Sequence, residues 1–216
     1  SVLEPHFRAR NLELLGLLTE GWQWITSNRP IRSLEDMRDF KIRVMSSRIL
    51  MRNYQVFGAS PTAMDFGEVY SGLQMNLIDG QVNPMAIAYS MKFFEVQTYM
   101  TNPYESLFIA IPAMNLEVYN ALDAETQRKV KQVWMDFTEP STQWATDLNI
   151  EFREKIAAEN PRMDFHEMTN EAIQPFRDRA PQVYSEYLAI AGEGGQEVLD
   201  TLLNDIQQAK QRLGIQ

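Results

Sequence analysis

Arg43 is the residue best placed to bind a charged small molecule. Apolar and cationic residues alternate over 40–44, which is strand spacing, so Arg43 should point away from the face that packs Ile42. An arginine in that position either pairs with a buried carboxylate of the protein or awaits an external anion. Ser46 and Ser47 follow closely, and the second of the two precedes a predicted helix. Their hydroxyls and the free N–H groups of the helix start would suit a carboxylate.

Three aromatic residues are candidates for an apolar wall beside such a ligand. They are Phe66, Trp22 and Trp24. Large aromatic side chains serve more often as core than as ligand contacts. The residues by themselves leave both roles open.

Known catalytic and metal-binding patterns find little support in this chain. The segment 166–170 resembles the helical zinc-protease motif but has Asn170 where the second histidine must stand. Asp65 and Glu68 are spaced as an ordinary helix cap, although they could be posed as an acid–base pair. With no cysteine and two histidines, we predict no catalytic residue, no metal site and no cofactor. The rival hypothesis is an α/β enzyme that uses Asp65, Glu68 and Arg43 on a carboxylate substrate.

Composition excludes two further classes of protein. The chain has 216 residues and a formal net charge of −9, which argues against a general nucleic-acid surface. Its longest uninterrupted apolar run, Leu107–Ile111, is far shorter than the ~20 residues that cross a bilayer. We therefore predict a protein that binds no nucleic acid and does not itself span the membrane.

Strands and helices are predicted to alternate through the first half of the chain, which is typical of an α/β fold with a mostly parallel sheet. Apolar residues then recur at steps of three and four from about 124 to 158, which predicts one long helix kinked at Pro140. Such a helix would brace two lobes. The strands expected around it lie at 22–26, 40–44, 93–99, 107–111 and 163–165, and 77–82 is expected to be a short strand or a turn.

Four motifs follow one another between residues 27 and 97. They are S-N-R-P-I-R-S-L-E-D-M (27–37) with K-I-R-V (41–44), G-A-S-P-T-A-M-D-F-G-E-V-Y (58–70), D-G-Q-V-N-P (79–84) and K-F-F-E-V-Q (92–97). In order and spacing they resemble the solute-binding proteins of TRAP transporters, the tripartite ATP-independent periplasmic transporters. The resemblance implies a periplasmic protein that captures a small organic acid for the membrane subunits of such a transporter.

The resemblance also assigns roles to individual residues. It implies that Arg43 pairs with the ligand carboxylate, that Asn83 donates a hydrogen bond near the same carboxylate, and that Phe66 packs on the ligand. Gln23 stands where some family members carry a second arginine. We therefore expect a ligand with one carboxylate and an uncharged body, with Ser46 beside the carboxylate.

The fold implied by the resemblance is that of a periplasmic binding protein, with two α/β lobes, mostly parallel sheets and a long kinked bracing helix. We expect the first lobe to be incomplete. Residues 1–20 and 109–148 would be the remnant of lobe one with the bracing helix. Residues 21–108 and 149–216 would form lobe two.

Overall fold

The structure of the protein is a computed structural model that describes residues 2–214. The chain divides into two compact units. The smaller unit comprises Ser1–Gly16, Ile111–Asp136 and Tyr184–Gln216, and the larger unit comprises Leu17–Ala110 and Phe137–Val183.

Short strands and helices alternate along the first half of the chain, and helices dominate the second half. The strands are β1 Leu12–Leu14, β2 Leu18–Trp22, β3 Trp24–Ser27, β4 Ile42–Val44, β5 Thr62–Ala63, β6 Gly80–Asn83, β7 Tyr99–Asn102, β8 Leu107–Ala110, β9 Ala113–Asn115 and β10 Asp164–Glu167. The helices are α1 Glu4–Arg8, α2 Arg48–Val56, α3 Val69–Gln74, α4 Met85–Ser90, α5 Phe93–Val96, α6 Leu116–Ala121, α7 Ala124–Glu159, α8 Asn170–Arg179, α9 Tyr184–Ala191 and α10 Gly195–Leu213. Single 3-10 turns cover Glu35–Met37, Phe66–Glu68 and Ala180–Val183. None of the helices within residues 2–214 is both long and apolar enough to pass through a bilayer.

The larger unit is built on a six-stranded sheet in the order β10-β7-β3-β6-β4-β5. The pairs β10–β7, β6–β4 and β4–β5 are parallel, and β3 runs antiparallel to both of its neighbours. Every strand of this sheet except β3 therefore points the same way. The predicted α/β fold with a mostly parallel sheet is confirmed.

Helices cover both faces of this sheet, which makes three layers. On one face, Ile42 and Val44 pack with residues of α2 and α8. On the other face, Trp24 and Met100 pack with residues of α3, α4, α5 and α7. Because side chains alternate along a strand, Arg43 belongs to this second face while its two neighbours fill the first core.

The long helix predicted for 124–158 is present as α7, and Pro140 lies inside it. The kink at Pro140 stays a prediction. The strand predicted for 93–99 is wrong in its first half, because α5 occupies Phe93–Val96 and β7 begins only at Tyr99. A run of apolar residues this short does not distinguish a buried helical turn from a strand, since both can bury consecutive side chains.

The smaller unit contains the antiparallel pair β1–β9 together with α1, α6, α9 and α10. Its buried charge is Glu13 on β1, whose side chain has no exposed surface. Glu13 pairs with Arg8 at 2.8 Å and with Lys131 at 2.5 Å. Burial would raise the pKa of Glu13, but hydrogen bonds from these two cations outweigh it and the pKa is lowered.

The two units differ from the expected lobes mainly at the C-terminal end. The segment Tyr184–Gln216 groups with the smaller unit, whereas the sequence places 149–216 in lobe two. α9 and α10 follow the last strand of the six-stranded sheet. Their local sequence does not indicate which of the two units they pack with. The lobe assignment itself stays a prediction.

Candidate functional site

Arg43 lies in the middle of β4, between β5 and β6 in the sheet of the larger unit. Its flanking residues Ile42 and Val44 belong to the core on the opposite face, and their burial holds the strand in register. Arg43 itself is only 4% exposed. A cationic side chain is therefore held inside the fold by apolar neighbours on the same strand.

The guanidinium of Arg43 has few partners within the protein. Its Nε donates a hydrogen bond to the carbonyl oxygen of Met64 at 2.9 Å, which uses one of five N–H donors. No carboxylate forms an ion pair with it among residues 2–214. Burial lowers the pKa of Arg43, and the charge of Asp65 offsets part of this effect. Of the two roles that the sequence left open for Arg43, pairing with a buried protein carboxylate is not observed.

Phe66 lies beside this guanidinium. It opens the 3-10 turn that follows β5, and its ring centre is 5.7 Å from the central carbon of the Arg43 guanidinium. Phe93, which is fully buried, meets the Phe66 ring edge-on with centres 6.3 Å apart. Phe66 is 41% exposed, so part of the ring is open to cover a bound molecule.

Asn83 ends β6, the strand next to Arg43. Its Nδ2 donates to Oε1 of Gln81 at 2.5 Å, and Nε2 of Gln81 donates to Oγ1 of Thr26 at 3.1 Å. Gln81 is the register partner of both Arg43 and Thr26, so these polar side chains lie on one face in a row across three strands. Gly80 is required at the start of β6 because a Cβ there would lie 2.2 Å from the carbonyl oxygen of Thr26.

The structure gives Gln23 and Ser46 other surroundings than a shared hydrogen bond with Arg43. Nε2 of Gln23 donates to Oγ of Ser106 at 2.9 Å, which commits one amide donor to the β7–β8 connection. Ser46 is exposed. Ser47, and not Ser46, caps helix α2 by accepting a hydrogen bond from the backbone of Leu50.

Several of these residues lie where the parallel strands of the sheet end, which we call the carboxyl edge. The strands β6, β7 and β10 end there at Asn83, Asn102 and Glu167, and β3 begins there at Trp24. In open α/β sheets, ligands bind outside the carboxyl ends of the strands. The position of Asn83 thus agrees with a ligand site on this edge.

A pocket of about 280 Å³ opens at the same edge. Its wall includes Trp22, Trp24 and Tyr104. Arg153 and Glu167 also line it and form an ion pair, with 3.9 Å between nitrogen and oxygen. The guanidinium of Arg153 covers the ring of Trp24 at 6.0 Å. Tyr104 donates a short hydrogen bond to Glu167, which is the main cause that raises the pKa of Tyr104 to about 12.

The helix cap predicted from the spacing of Asp65 and Glu68 is wrong, because neither side chain makes a capping hydrogen bond. Asp65 precedes the turn Phe66–Glu68, and its carbonyl oxygen accepts the backbone N–H of Glu68. His166 lies on β10 at the border of the sheet. Within residues 2–214, no group of three or more potential metal-ligating side chains is assembled.

The family model of bacterial extracellular solute-binding proteins, family 7, matches residues 2–190. The chain belongs to this family. The resemblance to TRAP solute-binding proteins is thereby confirmed. The family is extracellular by its description, and the protein is extracytoplasmic.

Two curated relatives are named for the compounds that they bind. The ectoine-binding periplasmic protein TeaA of Halomonas elongata is 35% identical over 201 residues, which cover 93% of this chain and 59% of TeaA. The ectoine/5-hydroxyectoine-binding periplasmic protein UehA of Ruegeria pomeroyi is 32% identical over 208 residues, 95% of this chain and 60% of UehA. This chain therefore spans about three fifths of the length of these relatives.

Solved structures agree with the family and with the fold. The periplasmic ectoine-binding protein of the TeaABC TRAP transporter of Halomonas elongata matches with a TM-score of 0.91 and 34% identity, over 96% of this chain and 68% of that one. A TRAP solute-binding protein from Desulfovibrio salexigens with bound orotic acid matches with a TM-score of 0.89 and 25% identity, over 95% of this chain and 66% of that one. The predicted periplasmic-binding-protein fold is confirmed.

Sequence reasoning missed several residues of this edge. Tyr104, Arg153 and Asn149 line the pocket, yet none of them lies in the four motifs. The signal that could have found Tyr104 is the Asn102-Pro103 pair just after a predicted strand. Arg153 and Asn149 lie on a helix far along the chain, and no local pattern places them beside the sheet.

Proposed function

We propose that the protein is the solute-binding component of a TRAP transporter, and that it captures a small organic acid for the membrane subunits. One observation carries the proposal: Arg43 is nearly fully buried, has no carboxylate partner among the described residues, and uses one donor within the fold. Burying a guanidinium without an anionic partner is unfavourable in free energy, and a bound anion would offset that penalty. A ligand carboxylate supplies that anion through a bidentate, charge-assisted pair.

The other residues of the site fit this role. The side-chain amide of Asn83 donates one N–H to Gln81, and its second N–H could donate to a carboxylate oxygen. Phe66 offers an open ring beside the guanidinium and would cover the body of the ligand. Gln23 would contribute polar but uncharged surface in place of a second arginine, and Ser46 would lie at the rim.

The ligand that this site supports best has a single carboxylate. Ectoine, the compound named for TeaA and UehA, is the first compound to test because it has one carboxylate, although its amidinium ring is charged where the sequence predicts an uncharged body. A dicarboxylate would bring a second negative charge, and the other cation at the carboxyl edge, Arg153, already pairs with Glu167. We therefore rank ectoine-like monocarboxylates above dicarboxylates.

Catalysis on a carboxylate substrate is the rival function, and we propose that the protein performs no chemistry. The family consists of solute-binding proteins. Asp65, the acid that the rival hypothesis needs, directly precedes the turn that carries Phe66. Bound ligand should leave the protein chemically unchanged after prolonged incubation.

The experiment has two steps. Native mass spectrometry of the intact protein purified from its own host identifies a co-purified small acid. Calorimetry then compares ectoine with its carboxamide, which keeps the ring and lacks the carboxylate, and with succinate. Binding of ectoine without binding of the amide supports the proposal, whereas preference for succinate or for the amide would overturn the ligand assignment.

A further inference from the structure

Asn149 lies on α7 and joins three parts of the larger unit through its side-chain amide. Its Nδ2 donates to the carbonyl oxygen of Glu20 at 2.8 Å and to that of Ala145 at 2.6 Å. Its Oδ1 accepts the backbone N–H of Ala86 at 3.0 Å. The bond to Ala145 is local to the helix. The other two reach strand β2 and the start of helix α4.

The contact with β2 depends on an irregularity in that strand. The pairing of β2 with β8 shifts its register between Thr19 and Gly21, as at a β-bulge. Gly21 has φ +102°, and a Cβ there would lie 2.6 Å from Nδ2 of Asn149. Glycine is thus needed both for the backbone conformation and for the close approach of the amide. The strand ends at Trp22, and Gln23 follows it directly.

The contact with α4 supplies a missing helix cap. The first N–H groups of a helix have no partner within it, and Pro84 at the N-cap position of α4 provides no side-chain hydrogen bond. Oδ1 of Asn149 accepts one of these groups, that of Ala86, across 63 positions of sequence. α4 begins two residues after Asn83, so a bond that holds its first turn also holds the end of β6.

We propose that Asn149 is a positioning residue for the ligand site. It caps α4 from outside and so keeps Asn83 directed toward the bound carboxylate, and it ties that helix start to the bulge that leads to Gln23. This inference rests on the proposed function, because it takes Asn83 as a ligand contact. The class of ligand concerned is a carboxylate whose oxygen accepts the second N–H of Asn83.

Two substitutions separate the two contacts. Asn149→Asp keeps an oxygen acceptor for Ala86 but loses the donor to Glu20, whereas Asn149→Leu loses both with little change in size. Gln143→Leu is the matched control, since Gln143 is an exposed amide on the same helix whose bond goes to Asp147. Each variant is made in the intact protein.

The first measurement needs no ligand. Hydrogen–deuterium exchange at the amide of Ala86 should be about tenfold faster in Asn149→Leu and close to wild type in Asn149→Asp and in the control. Thermal denaturation should show a loss of stability in both Asn149 variants, because both lose the bond to Glu20. Unchanged exchange at Ala86 in Asn149→Leu would overturn the cap.

The second measurement is calorimetry with ectoine as the probe. Affinity should fall about tenfold in Asn149→Leu and fall less in Asn149→Asp, which keeps the cap of α4 although its added charge lines the same pocket. If the loss of affinity parallels the loss of stability in both variants, Asn149 has only a structural role and the proposal is overturned. If wild type binds no ectoine, the ligand assignment fails, and the exchange at Ala86 still decides whether Asn149 caps α4.

Discussion

Replacing Arg43 with methionine removes the buried guanidinium and keeps a long apolar side chain in its place on β4. Without the charge, a bound carboxylate would be desolvated in the site without a cationic partner. The hydrogen bond from Nε to the carbonyl oxygen of Met64 is lost as well. The substitution therefore tests whether Arg43 serves the ligand or the fold.

Opposite effects are expected for affinity and for stability. Leaving one member of a buried charge pair without its partner costs about 3–5 kcal/mol, which corresponds to a Kd about two to four decades weaker. The ligand-free protein, however, loses a buried cation that no carboxylate of the described chain pairs with. Its melting temperature should stay the same or rise, because burying an incompletely paired charge is itself unfavourable.

The assay is calorimetry with the acid that gives wild type its largest thermal shift, together with thermal denaturation without ligand. Arg29→Met is a matched control, because the Arg29 guanidinium also covers a phenylalanine ring, that of Phe40 at 5.3 Å, but lies away from the carboxyl edge. It should bind like wild type. Arg43→Lys should recover only part of the affinity, since an ammonium does not reproduce the planar fork.

Two results would refute this reasoning. The first is an Arg43→Met protein that binds the acid as tightly as wild type does, which would remove Arg43 from the site. The second is a large fall in the melting temperature of ligand-free Arg43→Met. That result would mean that Arg43 is primarily a structural cation.

Three further predictions concern side chains in both units. Phe66→Ala should weaken ligand binding about threefold to thirtyfold in calorimetry, the range expected for a ring beside a cation; unchanged affinity would exclude its contact with the ligand. Burial raises the pKa of Glu105 more than its hydrogen bonds lower it, so its contribution to stability is complete below about pH 4.3 and is lost as the pH rises through the folded pKa. Glu105→Gln should therefore reduce the decline of the melting temperature between pH 4 and 8, and identical profiles would contradict this. Lys131→Met should lower the free energy of unfolding in urea by about 1.5–3 kcal/mol, because the buried Glu13 loses one of two cations; a change no larger than that of the exposed Lys129→Met would argue against this ion pair.

The sequence by itself determined the fold class and the family. Alternation over 40–44 predicted β4 and the direction of its arginine, and three- and four-residue spacing predicted α7 nearly to its ends. Four motifs in order identified the TRAP solute-binding proteins. These features depend on neighbours within a few positions, where side-chain periodicity directly reports which face of a strand or helix is buried.

The tertiary structure alone decided how the site is assembled. The sequence left open whether Arg43 meets a protein carboxylate, and the folded neighbours Met64 and Phe66 answer that question. Gln81 joins Asn83 to Thr26, although the motif that contains Gln81 gives it no role. Such contacts join residues on different strands or far apart in the chain. Local periodicity does not contain them, because they exist only once the sheet and α7 have packed together.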